Sequence, residues 1–171
     1  MTWIISEERV VVQKIADASD TQNHALGTIV RAKDSTYGFG EFIYLKGVTS
    51  NFASALVTYV ASTGVTALST TSGVATGGAP MAVSMSAATG SQFGWFQIAG
   101  DATLYKTAVK VDPASGNRVY LSGTAGRVMQ TSVAGRQILG ARFIATATVT
   151  STTSTAIVTL NRPSQKSGTA V

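Results

Sequence analysis

The chain has 171 residues, of which 44% are apolar and 12% charged, with no cysteine and a formal net charge of +5. The lack of cysteine excludes disulfides and thiolate metal sites, and no run approaches the ~20 apolar residues that a membrane-spanning helix needs. Average soluble domains carry roughly 25% charged residues, so a free monomer this poor in charge is badly protected against self-association and is expected to bury surface in a partner or in its own copies.

In chain order, residues 1–8 lack the basic region and long apolar run of a secretory leader, so the protein is expected to act without crossing a membrane by itself. Residues 1–25 read as an N-terminal arm. Val10, Val11, Val12 and Ile15 suit one short strand, and residues 16–23 form a polar, turn-prone link. The same pattern also suits an ordinary edge strand.

Residues 26–162 read as a single β-domain, a sandwich or barrel. Strands are expected at 26–32, 41–46, 55–60, 81–85, 93–98, 118–121, 126–129, 137–150 and 155–160, most of them bounded by glycine or by Ser/Thr clusters. The segment 41–46 is apolar on both faces, which places it centrally in the sheet. Scattered glycine and threonine defeat any sustained helical period. A short helix over 101–109 is the one alternative, and not the favoured one. Residues 61–80 and 146–156 are rich in small side chains and suit loops or strands packed against another subunit. Residues 163–171 read as a tail with little reason to be ordered in isolation.

Charge is unevenly placed. Residues 1–41 hold four basic and six acidic groups, whereas residues 42–171 hold nine basic and two acidic ones. No acidic side chain follows Asp112, while Arg118, Arg127, Arg136, Arg142, Arg162 and Lys166 do. These cations are spread singly and lack interleaved stacking aromatics, which disfavours nucleic acid as partner. An acidic protein surface fits better.

Residues for chemistry are few. The single histidine, His24, has no cysteine or elbow serine to serve as a general base. Of the eight acids, Glu7, Glu8, Asp17 and Asp20 lie in the arm, and Asp34 and Asp112 in turns, leaving Glu41 and Asp101 as an isolated carboxylate pair. No grouping resembles a zinc or calcium site. Glycines 38 and 40, and glycines 73, 77 and 78, lack the strand–helix setting of a phosphate loop. The aromatics Tyr37, Phe39, Phe42, Tyr44, Phe93, Trp95 and Phe96 suit either a sugar platform or, more simply, a core plus an interface, with Phe93 and Trp95 on one strand face and Phe96 on the other. The sequence therefore predicts no catalytic, cofactor-binding or metal-binding residues and no enzyme activity.

The runs Ala25-Leu26-Gly27-Thr28 and Tyr37-Gly38-Phe39-Gly40-Glu41-Phe42-Ile43-Tyr44-Leu45-Lys46-Gly47 resemble a segment common in small structural proteins of tailed phages. Gly94-Trp95-Phe96-Gln97-Ile98-Ala99-Gly100 is similar to a later strand of the same family, and residues 116–128 to its next hairpin. The ordered set, over residues 25–130, resembles the capsid decoration (cement) proteins. That resemblance implies a β-domain, often a homotrimer, that binds the major capsid protein on the outer surface of the virion after assembly in the host cytoplasm. It implies no membrane partner and carries over no catalytic residues. Two other functions stay open, a different virion component (tail, fibre-base or head-fibre protein) and a carbohydrate- or receptor-binding module.

Overall fold

A computed structural model describes residues 3–5, 13–71 and 78–166. Over these the chain is all-β, as the sequence predicts, and its antiparallel sheet curls into a half-barrel. The strands are β1 (Trp3–Ile5), β2 (Ala18–Ser19), β3 (Ile29–Asp34), β4 (Gly38–Lys46), β5 (Leu56–Tyr59), β6 (Thr66–Leu68), β7 (Met81–Ser84), β8 (Phe93–Tyr105), β9 (Arg118–Leu121), β10 (Val128–Met129), β11 (Gln137–Phe143) and β12 (Thr155–Gln165). The main path runs β1-β3-β4-β8-β12-β11-β9-β10, and β2 and β7 attach to β8.

Strand β4 lies between β3 and β8, so its two apolar faces are both used. Phe42 and Tyr44 join Val30, Ala32, Trp95 and Ile15 in one core cluster, while Ile43 and Leu45 join Val57, Ala82, Phe96 and Ile98 in another. The second cluster lies within a ring of pairings, β4–β8–β7–β5–β6, closed by a parallel bridge between Lys46 and Val65. A third cluster takes alternate residues of β8, β9, β11 and β12, including Ala102, Leu104, Val119, Ile138, Phe143, Val158 and Leu160.

Strand β8 is longer than its sequence suggests, and no helix forms over 101–105. Opposite it, Glu41 pairs with Ala99 but Phe42 pairs with Gln97, so Ile98 is an extra residue in a β-bulge. Gly100 then takes a φ of 92°, open to glycine at little cost. The bend lets one strand serve two cores, and beyond it Ala102 and Leu104 resume burial at period two.

Two expected boundaries move. The arm expected over 1–25 is packed against the body from residue 13 onward, because Ile15 inserts into the Trp95 cluster and β2 pairs with β8. The strand expected at Val10 to Ile15 lies outside the described residues as far as Val12, and Ile15 itself sits in a turn. At the other end β12 crosses the expected start of the tail and runs to Gln165, since Pro163 and Gln165 are buried and Ile138 pairs with Gln165.

Candidate functional site

The bulge opens a groove of about 720 Å3 at one end of the ring of strands. It is lined by the small residues Gly40, Ala99 and Gly100 and by Arg31, Phe39, Glu41, Asn161 and Arg162. Glycine at 40 and 100 has a structural cause. A Cβ on Gly100 would run into the Phe39 carbonyl, and one on Gly40 would lie 3.0 Å from the Phe42 ring.

Glu41 organises the groove. Its Oε1 accepts from Arg31 at 3.1 Å and its Oε2 from Arg162 at 3.0 Å, so one carboxylate ties β3, β4 and β12 together across β8. Arg162 has a left-handed φ of 45° in the irregular stretch where β12 passes Gly140 of β11. Both guanidiniums are largely exposed to solvent. Beside them Phe39 is 65% exposed, with the Lys33 ammonium 5.4 Å from its ring centroid. Arg162 also favours the charged form of Tyr59, although burial dominates and raises the Tyr59 pKa above its ordinary value.

The groove is part of a larger face. Wherever Ala102, Leu104, Val119, Ile138, Phe143, Val158 and Leu160 point into the core, the intervening residues point the other way. These include Asp101 on β8, Ile157 and Thr159 on β12, Leu139 and Arg142 on β11, and Arg118 on β9. Ile29, Arg31 and Lys33 continue the face on β3. Among the described residues it carries five cations (Arg31, Lys33, Arg118, Arg142, Arg162) and two carboxylates (Glu41, Asp101). Four of the six exposed large apolar side chains among the described residues also lie on it, namely Ile29, Phe39, Leu139 and Ile157. Arg118 and Arg142 are register partners, a like-charge pair that costs free energy in the isolated sheet.

The isolated carboxylates Glu41 and Asp101 thus share one face but do different things. Glu41 holds two arginines, and Asp101 accepts the Thr159 hydroxyl at 2.7 Å. Asp34 accepts the amides of Thr36 and Tyr37, and Asp112 caps the 3-10 turn at Pro113–Ser115 by accepting from Ala114. The Ala114 amide, helped by Lys110, holds the Asp112 carboxyl below its ordinary range. Both are turn acids, as the sequence suggests. Gly38 and Gly78 take the positive φ of turn glycines, and glycines 73 and 77 lie outside the described residues.

His24 packs edge-on to Tyr44 at 5.0 Å and against Trp95 at 5.1 Å. Its Nε2 is buried without a hydrogen-bond partner, and burial lowers its pKa below 6.5. Around it the Tyr44 hydroxyl donates to Gln13 Oε1 at 2.8 Å, Trp95 Nε1 donates to the Gln13 carbonyl and the Asn23 amide donates to the Tyr44 hydroxyl. This is a clip that fastens residues 13–24 to the sheet. Phe93 and Trp95 face this cluster and Phe96 the other core, so the aromatic strand of β8 is interior on both faces. Phe39 alone of the aromatics expected to form a platform is an exposed wall of the groove.

One feature escaped the sequence reading. Lys106 is fully buried, and its Nζ donates to the carbonyls of Val109 at 2.8 Å and Thr150 at 2.9 Å, with no carboxylate in that hydrogen-bonded shell. Desolvation lowers its pKa, while the carbonyls hold the 107–112 and 149–154 segments together around it. Among the described residues no group of three or more His, Asp or Glu is placed to hold a metal ion. No helix of the described residues is long and apolar enough to cross a membrane. Comparison of the chain with protein-family models, with curated proteins and with solved structures yields no match.

Proposed function

We propose that the protein is a structural component of a tailed-phage particle, a decoration protein that binds the major capsid protein on the outside of the shell and stabilises it as a homotrimer, without catalysis. The observation that carries this reading is the basic and apolar sheet face. A surface that combines exposed arginines with exposed Phe, Leu and Ile has the make-up of an interface core and rim. The two carboxylates on it are already engaged, Glu41 by Arg31 and Arg162 and Asp101 by the Thr159 hydroxyl. The low charge content and the family resemblance of residues 25–130 support the same reading.

A carbohydrate- or receptor-binding role draws on one specific feature, the exposed Phe39 beside an open groove. Two measurements separate the readings. Mass spectrometry of gradient-purified particles should find the chain in many copies per particle, and a glycan array should stay blank. A chain absent from particles, or a sharp glycan signal lost in Phe39→Ala, would replace the decoration reading.

A further inference from the structure

We infer that a second, smaller cavity is a binding site for a neutral, single-ring molecule with one hydrogen-bond donor, of the chemistry of phenol. The cavity has a volume of about 170 Å3 and lies where the clip, the turn at 53–54, the end of β7 and β8 meet. Ala16, Ser54, Met85, Gln97 and Thr103 are among its walls. It is separate from the Phe39 groove and would exist whether or not the protein decorates a shell.

Two observations point to a ligand. Gln97 is fully buried, and its Oε1 has no hydrogen-bond partner among the described residues. The nitrogen fixes the orientation of this amide, because Nε2 donates to the carbonyls of Ala99 at 3.1 Å and Asp101 at 3.0 Å. Those oxygens only accept, so a flipped amide would lose both bonds and set acceptor against acceptor. Both N–H donors are thus spent, and Oε1 stays a buried acceptor whose desolvation no group of the chain offsets. The second observation is backbone strain. Ser54 takes a left-handed φ of 68°, held by its N–H on the Ser84 carbonyl at 2.7 Å and by the Tyr105 amide on its own carbonyl. Strained non-glycine backbone of this kind gathers at ligand sites.

The lining decides the class of ligand. Among the described residues no charged side chain lines the cavity, whose surface is mostly apolar, so an ion would lose its hydration without a counter-charge. Ser84 does not compete for the acceptor, because its hydroxyl donates to the Ser86 carbonyl and accepts from Asn51. Size sets the rest. An apolar cavity of ~150 Å3 is known to hold benzene, so this one takes one six-membered ring with a small substituent. A hydroxyl on that ring donates to Gln97 Oε1, while the ring packs on Ala16, Ala53 and the Met85 thioether. Because Ala16 belongs to the clip, a bound ring also braces that segment against β7 and β8.

The test uses the full-length protein with isotope-labelled methionine methyl groups, phenol as the probe, and toluene and benzoate as comparators. Met85 reports from the cavity wall, while Met81 and Met129 do not line it and serve as internal controls. Phenol should shift the Met85 methyl resonance saturably, with an apparent Kd of about 1 mM or tighter. Toluene lacks the donor and should bind at least about fivefold more weakly, and benzoate should leave the resonance in place. Ala16→Leu alters an exposed position, fills the mouth of the cavity and should abolish the phenol response without loss of the fold. Gln97→Met removes the acceptor and should erase the preference for phenol over toluene; if it unfolds the strand, Ala16→Leu and the ligand comparison carry the test alone. No saturable Met85 shift up to about 10 mM phenol, toluene as tight as phenol, or an undiminished response in Ala16→Leu would each overturn the inference. So would crystals grown with phenol in which ordered water, and no ring, meets Gln97 Oε1.

Discussion

At the scale of single residues, buried polar side chains make the sharpest predictions. His24 has a pKa held below 6.5 by burial, so the unfolded chain takes up its proton first as pH falls. The stabilisation from keeping this ring neutral is present above about pH 6.5 and is lost as pH drops through the lowered folded value. Melting temperature should therefore decline as pH falls below about 6.5 in wild type, and His24→Gln should flatten that decline. An identical slope in the variant would assign the titration elsewhere. Lys106 is the second case. Replacing it with alanine leaves the Val109 and Thr150 carbonyls without their donor and opens a cavity, a loss of about 2–4 kcal/mol in urea unfolding. Hydrogen exchange should quicken in the 107–112 and 149–154 segments first. A variant as stable as wild type would mean that solvent reaches those carbonyls.

Strands and turns decide what the sequence could reveal. Apolar and β-branched runs bounded by glycine or Ser/Thr clusters made β3, β4, β7 and β9 legible, and each of them buries one or both faces. Strand β8 was legible only as far as Ile98. Its continuation depends on Gly100 adopting a positive φ against β4, and a glycine in sequence reads as an end. Likewise the polar residues 16–23 read as a free link, although the Asn23 side chain donates to Gln13 Oε1, which also accepts the Tyr44 hydroxyl, and the Gln13 backbone carbonyl accepts the Trp95 indole. The excess of arginine was visible, but its placement was not. Arg127, equally prominent in the sequence, lies 5.6 Å from the Tyr105 ring, whereas Arg118 and Arg142 meet only because β9 and β11 pair. Two predictions belong here. Gly100→Ala forces a Cβ into the Phe39 carbonyl at a strained φ and should cost about 2–3 kcal/mol, with β4 displaced. Deleting residues 1–25 removes Ile15 from its core and the Gln13 partner of Tyr44, and should lower stability by about 3 kcal/mol or more. A deletion variant with an unchanged melt would restore residues 13–25 to the status of a detachable arm.

At the scale of the whole molecule, the curled sheet separates two surfaces. One is covered by the large core and the clip, and the other, beside the Ile43 core, is a face with more cations than carboxylates among the described residues and scattered apolar side chains. Exposed charges farther apart than ~8 Å are screened at physiological ionic strength, so raising salt should slow attachment to an acidic shell more than it alters the melt of the free protein. Apolar burial around Phe39 and Leu139 should leave a residual, salt-resistant affinity. The most direct measurement is a cryo-electron reconstruction of the native particle at a resolution that resolves strands. The account predicts density for this half-barrel on the outer shell, with Arg118, Arg142 and the Phe39 groove turned toward acidic residues of the capsid protein. The domain found inside the head, on the tail, or seated through the opposite side of the sheet would contradict it.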